Sequence, residues 1–310
     1  MIPISSSGLI IMSKISTYIA IALFQLLSLL PIRLLRWLAG RIGTLLWLMN
    51  SRSRHVTEEN LAICFPDMAA AERTALAKKS LKHLVMTGLE LAPIWRRPVP
   101  SLIKAIADIE GLQIFQQGLA DNNGLIVLAP HIGAWELAGL YLAEQASISI
   151  MYQPPDNKAI EQLMTRARSR NGAELVATDT TGVKALLQAL KRGEMIAVLP
   201  DQVPPMAGGG FAPFFGTPAL TTTLIRKLAK RTGATVIMAS ALRINHSGKF
   251  RLVFTAVPET ICADDESLAL SVLNQSVEQC VALAPEQYQW EYKRFKKQPE
   301  GSRKYYQNNN

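Results

Sequence analysis

From Leu102 onward, short apolar runs alternate with stretches of helical character, and this rhythm constrains the fold more than any other feature of the chain. The runs are Leu125–Ala129, Ile148–Tyr152, Met195–Leu199, Thr235–Ala239 and Phe250–Phe254. Each is of strand length, and most are bounded by Gly, Pro or polar residues. The intervening stretches, approximately 134–145, 157–170, 181–192 and 222–232, carry helical periodicity. That βαβα order predicts an α/β domain with a largely parallel central sheet flanked by helices. In such sheets the active site lies beyond the carboxyl ends of the strands.

Upstream of that domain, "KISTYIAIALFQLLSLLP" is apolar from Ile15 to Leu30, slightly short of the roughly 20 residues that a comfortable span needs. The next stretch, "IRLLRWLAGRIGTLLWLM", interleaves Arg33, Arg36 and Arg41 with Leu and Trp, which suits a basic amphipathic helix lying in an anionic membrane surface. A cleaved signal peptide and a helical hairpin buried in the domain's own core are the other readings. Membrane association is favoured, because mean hydropathy is positive at +0.14. Met12 is a possible start of the chain. The segment "SRSRHVTEENLAICFPDMAAAER" reads as a linker helix, a break at Pro66 and a new helix capped by Asp67. The division expected is therefore a membrane-associated helical segment over 1–50, the α/β domain over 51–298, and a disordered tail over 299–310.

A formal charge of +9 in 310 residues calls for an anionic partner. Few aromatics lie among the basic clusters and no nucleic-acid-binding motif is present, so lipid headgroups or an acidic protein are preferred to nucleic acid. Cys64, Cys262 and Cys280 are scattered without zinc spacing. They read as reduced and structural, with no metal implied.

"APHIGAWE" places His131 on the turn after the first run and Glu136 in the early turns of the following helix. In one regular helix an offset of five would set the two about 140° apart. With His131 on the turn, its imidazole can fold back onto the carboxylate. A histidine is a competent general base near neutral pH, and a carboxylate on its second nitrogen fixes the tautomer. The alternative is a satisfied histidine at a strand end. There is no G-x-S-x-G and no H-E-x-x-H, so the hydroxyl attacked by the base would come with the substrate.

"HIGAWE" resembles the first block of the glycerolipid and lipid A acyltransferase superfamily, whose signature is H-x4-E after an apolar strand. "ENLAICFPD", "MTRARSRNGAEL", "ALKRGEMIAVLPDQ", "GGGFAPFFGTPALTTT" and "YQWEYKRFKK" resemble, in order, blocks of the bacterial lipid A late acyltransferases, the lauroyl and myristoyl transferases. Lys293 stands where arginine is usual in the last block. The likeness runs from about Arg52 to Lys297. It implies transfer of a fatty acyl group from acyl carrier protein, as co-substrate and without a cofactor, to a hydroxyl of a lipid A precursor at the cytoplasmic face of the bacterial inner membrane. His131 would be the general base and Glu136 would orient it. The oxyanion would need a guanidinium or backbone N–H groups at the start of the 134–145 helix.

Arg166, Arg168 and Arg170 are the candidates for that guanidinium or for holding acceptor phosphates. Arg166 and Arg170 share a helical face and Arg168 points the other way; the resemblance favours Arg168 as catalytic. Asp201, ending "MIAVLPD", would orient an arginine or the acceptor sugar, or is a turn residue. "MAGGGFAPFFGTPALTTT" reads as a mobile apolar lip beside an acyl channel, with Phe211 and Phe214 against the substrate. It is no nucleotide loop, because no G-K-[ST] follows. Arg226, Lys227, Lys230 and Arg231, with Lys293, Arg294, Lys296 and Lys297, would meet acyl carrier protein or lipid phosphates, or form a solvated face. In place of the basic residues often found in the relatives, this chain has "VATDTTGVK". That leaves two rivals: acylation of another glycolipid or phospholipid, and a non-catalytic membrane adaptor that kept the fold.

Overall fold

The computed structural model describes residues 20–245 and 247–306. Met12, the first part of the apolar stretch and the last four residues of the tail lie outside the described residues.

The strands β1 (Ile106–Glu110), β2 (Leu125–Leu128), β3 (Ile148–Tyr152), β4 (Glu174–Ala177), β5 (Met195–Val198), β8 (Thr235–Ile244) and β9 (Lys249–Ala256) form one sheet. Their order is β1-β9-β8-β2-β5-β3-β4. The pairs among β8, β2, β5, β3 and β4 are parallel, and β9 runs antiparallel to β8. The remaining strands, β6 (Gly209–Phe214) and β7 (Thr217–Thr222), make a separate hairpin. All five apolar runs read from the sequence are strands. β1 and β4, "IADIE" and "ELVA", lie at the two sheet edges with partly exposed side chains, and so carry no continuous apolar run.

The helices are α1 (residues 20–29), α2 (Ile32–Leu48), α3 (Arg52–Cys64), α4 (Ala70–Arg96), α5 (Val99–Ile103), α6 (Leu112–Ala120), α7 (Trp135–Gln145), α8 (Lys158–Ser169), α9 (Thr180–Lys191), α10 (Leu224–Thr232) and α11 (Glu266–Leu283). Successive residues of a strand face opposite sides, so β2 serves two cores. Leu125 and Val127 pack with Phe115 of α6 and with Leu137 and Ala138 of α7. Ile126 and Leu128 share a core with α9, α10 and α11 through Leu186, Ile225 and Leu273. The central strands are covered on both faces, as parallel sheets require.

Three expectations are corrected. α4 begins at Ala70 with no side-chain cap, so Asp67 does not cap it. The same helix continues through Pro93 to Arg96, because Ala92, Pro93 and Ile94 are buried and packing overrides propensity. The boundary drawn at residue 50 does not detach the N-terminal segment. α2 lies along α4 with Leu35, Arg36 and Ala39 buried, and a Cβ on Gly43 would stand 2.6 Å from the Lys82 Cα. Nor are residues 299–306 a loose tail: Tyr306 is buried, its backbone N–H donates to Glu59 and its hydroxyl to Asn60.

Arg36 joins a fully buried ion triad. Its Nε donates to Glu90 Oε1 of α4 at 2.6 Å, and Arg243 Nε of β8 donates to Glu90 Oε2 at 2.7 Å. The opposite face of α2 exposes Leu34, Trp37, Leu45 and Leu48. Among the described residues, no helix is long and apolar enough to cross a membrane.

Candidate active site

β2 and β5 are parallel neighbours in register, Leu128 opposite Val198. Three residues beyond each register partner stand His131 and Asp201, so the register carries the two side by side. The Asp201 carboxylate grips His131 twice: Oδ2 accepts from the His131 backbone N–H at 2.9 Å, and Oδ1 lies 2.8 Å from Nδ1. Asp201 is buried and the imidazole is nearly so. Burial alone would push the Asp201 carboxyl up, but the imidazolium charge and the hydrogen bonds from His131 hold it below the usual carboxylate range. An ionised Asp201 accepts from Nδ1–H. The other nitrogen, Nε2, faces the open side, where Gln202 Nε2 lies 3.2 Å away.

The turn that presents His131 is fastened by its backbone. Gln289 N donates to His131 O, Gly133 N to Gln287 O, and Ala134 N to Ala241 O. Gly133 has φ +60°, and a Cβ there would lie 2.1 Å from Ala241 O. Arg243 Nη2 donates to Gly133 O at 3.2 Å, joining the turn to the buried triad.

The expectation that Glu136 orients His131 is corrected by this geometry. Glu136 sits in the first turn of α7, and its carboxylate is taken from the other side. Arg168 donates through Nε at 3.0 Å to Oε2 and through Nη2 to Oε1, and Trp95 Nε1 donates to Oε2 at 3.1 Å. Among the described residues, the ring nitrogens of His131 bond to Asp201 and Gln202, and its ring stands edge-on to Trp135. Burial would lower the Arg168 guanidinium, but the Glu136 carboxylate holds it above its ordinary range. The pair lines one wall of a cleft of about 450 Å³, counting its solvent-open mouth, with Trp135, Gly139, Leu142 and Ile150 among the apolar walls.

The other candidates are dispersed. Arg166 is exposed on α8. Arg170 caps the end of α4 by donating to the Ile94 and Arg97 carbonyls, so it braces a helix. Phe214 is buried among Phe215, Tyr288 and Phe295 in the core and offers no wall to a substrate. Phe211 is half-buried on β6, paired in register with Leu220. The stretch read as a mobile lip is an ordered hairpin, turned by Phe215 (φ +47°) and Gly216 (φ +76°). Arg294 is buried, donating to Leu220 O, Thr221 and Asn274, and does not face a partner. Arg226 and Lys230 are engaged with the loop before α11, leaving Lys227 and Arg231 exposed.

The sequence reading missed Trp95, Gln202, Gln289 and Glu291. Gln202 Nε2 also lies 3.3 Å from Gln289 Oε1. Burial pushes the Glu291 carboxyl up, while the Gln289 side chain and the nearby His131 draw it down. "DQ" immediately after the β5 run was the one signal that pointed at Gln202. Among the described residues, no cluster of three His, Cys, Asp or Glu side chains could hold a metal ion.

Comparison with known proteins matches residues 4–297 to the model of the family described as bacterial lipid A biosynthesis acyltransferase. The chain is 29% identical over 291 residues to the lipid A biosynthesis palmitoleoyltransferase of Escherichia coli (strain K12), covering 94% of each chain. It is 28% identical to the lauroyltransferase of the same organism, over 92% of each chain. Identity to the myristoyltransferase is 27%, over 92% of this chain and 88% of the relative. With nearly the whole length matched by the family model, the chain belongs to the bacterial lipid A biosynthesis acyltransferase family.

Proposed function

We propose that this acyltransferase moves a fatty acyl group from the thioester of acyl carrier protein to a hydroxyl of a lipid A precursor, at the cytoplasmic face of the inner membrane. The observation that carries the reading is the Nδ1 contact of His131 to buried Asp201, which leaves Nε2 as the basic nitrogen on the open side. Nε2 takes the acceptor's proton as its oxygen attacks the thioester carbonyl, and Asp201 stabilises the imidazolium that forms. Collapse of the tetrahedral intermediate breaks the C–S bond, and the leaving thiolate recovers the proton from Nε2–H. α7 begins without a side-chain cap, and among the described residues no backbone carbonyl accepts the N–H of Trp135 or Glu136. Those groups, with Arg168, are suited to hold the oxyanion. The acyl chain would lie in the apolar cleft, where Glu136 fixes Arg168 at the wall.

The basic charge and the exposed Leu34, Trp37, Leu45 and Leu48 face of α2, with Arg33 and Arg41 on the same helix, support docking flat on an anionic bilayer. The deciding experiment follows transfer from acyl carrier protein to a lipid A precursor by mass spectrometry. A gain of one acyl chain, lost in His131→Ala and in Asp201→Asn, is expected. Acylation of a different glycolipid by the wild type would keep the chemistry and move the acceptor.

A further inference from the structure

Two carboxamides that no step above uses stand in a row at the reacting nitrogen. Gln202 Nε2 lies 3.2 Å from His131 Nε2 and 3.3 Å from Gln289 Oε1. The polarity of the row is fixed at its histidine end. With the imidazole neutral, as a base must be, and Asp201 accepting the Nδ1 proton, Nε2 carries the lone pair and Gln202 presents an N–H to it. Gln289 accepts with Oε1 from Gln202. Backbone contacts hold the row in place: Gln289 N donates to His131 O, and Val203 N donates to the Tyr292 hydroxyl at 2.9 Å.

A hydroxyl that gives its proton to Nε2 must come within about 2.6–3.2 Å of it. Gln202 Nε2 holds that point, so amide and acceptor cannot occupy the lone pair together. Gln202 is exposed and can turn aside at little cost in packing. As it turns, its N–H groups are released toward the incoming oxygen and Gln289 Oε1 loses its donor. Resting on the acyl-transfer reading above, we propose that Gln202 and Gln289 form the acceptor seat. Gln202 guards the base and then holds the hydroxyl oxygen, while Gln289 Oε1 accepts from a second N–H or O–H on the same molecule. The seat therefore selects an acceptor whose reacting hydroxyl has a neighbouring hydrogen-bond donor, as a sugar or an amide-linked hydroxyacyl chain has. It discriminates against water and simple alcohols, because an acceptor without the second donor leaves Gln289 unpaired.

The test measures transfer and thioester hydrolysis by wild type, Gln202→Ala, Gln202→Asn and Gln289→Leu, varying acyl-carrier-protein donor and glycolipid acceptor separately. The seat predicts an acceptor KM raised about tenfold or more in Gln202→Ala and Gln289→Leu, a donor KM unchanged, and an intermediate value for Gln202→Asn. It also predicts a larger share of donor lost to water in Gln202→Ala. A purely structural role would not split the two KM values. Acceptor KM within about twofold of wild type in both variants, with melting temperatures retained, overturns the seat and leaves the acyl-transfer reading standing. Absence of glycolipid acylation by the wild type itself overturns that reading, and the seat with it.

Discussion

His131 and Asp201 are separated by 70 residues yet form one unit, because equal offsets from an in-register strand pair become neighbours in space. Asp201→Asn keeps the size of the side chain but removes the charge that stabilises the imidazolium. A fall in kcat of about 10²–10⁴-fold with an unchanged circular-dichroism spectrum is expected. The Asp201 carboxyl is held below its unfolded value. Its contribution to stability is therefore present above the ordinary carboxylate range and lost only as pH falls through the depressed folded value. Acid unfolding of Asp201→Asn should consequently begin at a pH no lower than in wild type but from a lower starting stability, read by melts from pH 7 to pH 3. Glu136 belongs to a different unit. Arg168→Met would leave its largely buried carboxylate with only Trp95, costing on the order of 2–4 kcal/mol. Glu136→Leu with Arg168→Met together should recover part of that loss in denaturant titrations.

At the scale of elements, the turn from Pro130 to Ala134 is the most constrained piece of the fold. Gly133→Ala would need an L side chain in the left-handed region and against the Ala241 carbonyl. An insoluble or inactive protein, with stability down by several kcal/mol where it can be measured, is expected. Much of this turn was legible: "APHIGAWE" between an apolar run and a helix announces a strand, a tight turn and a histidine at the strand's end. What the sequence could not convey is strand order. Nothing in "LIVL" or "MIAV" says that β5 enters the sheet between β2 and β3, and without that adjacency the carboxylate five residues away looks like the partner. Edge strands β1 and β4 were illegible because partial exposure lets polar residues interrupt the alternation. Phe214 and Arg294 were misread for a related reason: a glycine-rich stretch and a basic cluster look like surface until an aromatic core and three buried acceptors claim them.

Among the described residues, exposed leucines gather on α1, at Leu23, Leu26 and Leu29, and an apolar strip with Trp37 and Leu45 runs along α2. Trp37→Glu with Leu45→Glu should weaken binding to vesicles containing anionic phospholipid by about tenfold or more, and added salt should weaken wild-type binding in the same assay. Melting temperature should stay within about 3 °C of wild type, since both side chains are more than half exposed. The inward side of that helix has a different consequence. Arg36 donates to one oxygen of Glu90, and Glu90 through its other oxygen aims Arg243 at the Gly133 carbonyl. A protein trimmed after residue 50 for easier handling would retain His131, Asp201, Gln202 and Gln289. It would also carry a bare groove along α4 and a buried Glu90 Oε1 stripped of its Arg36 donor beneath the turn. The exposed apolar strip and the strut that keeps the histidine aimed are two sides of one rod, and a knife that removes the first removes the second.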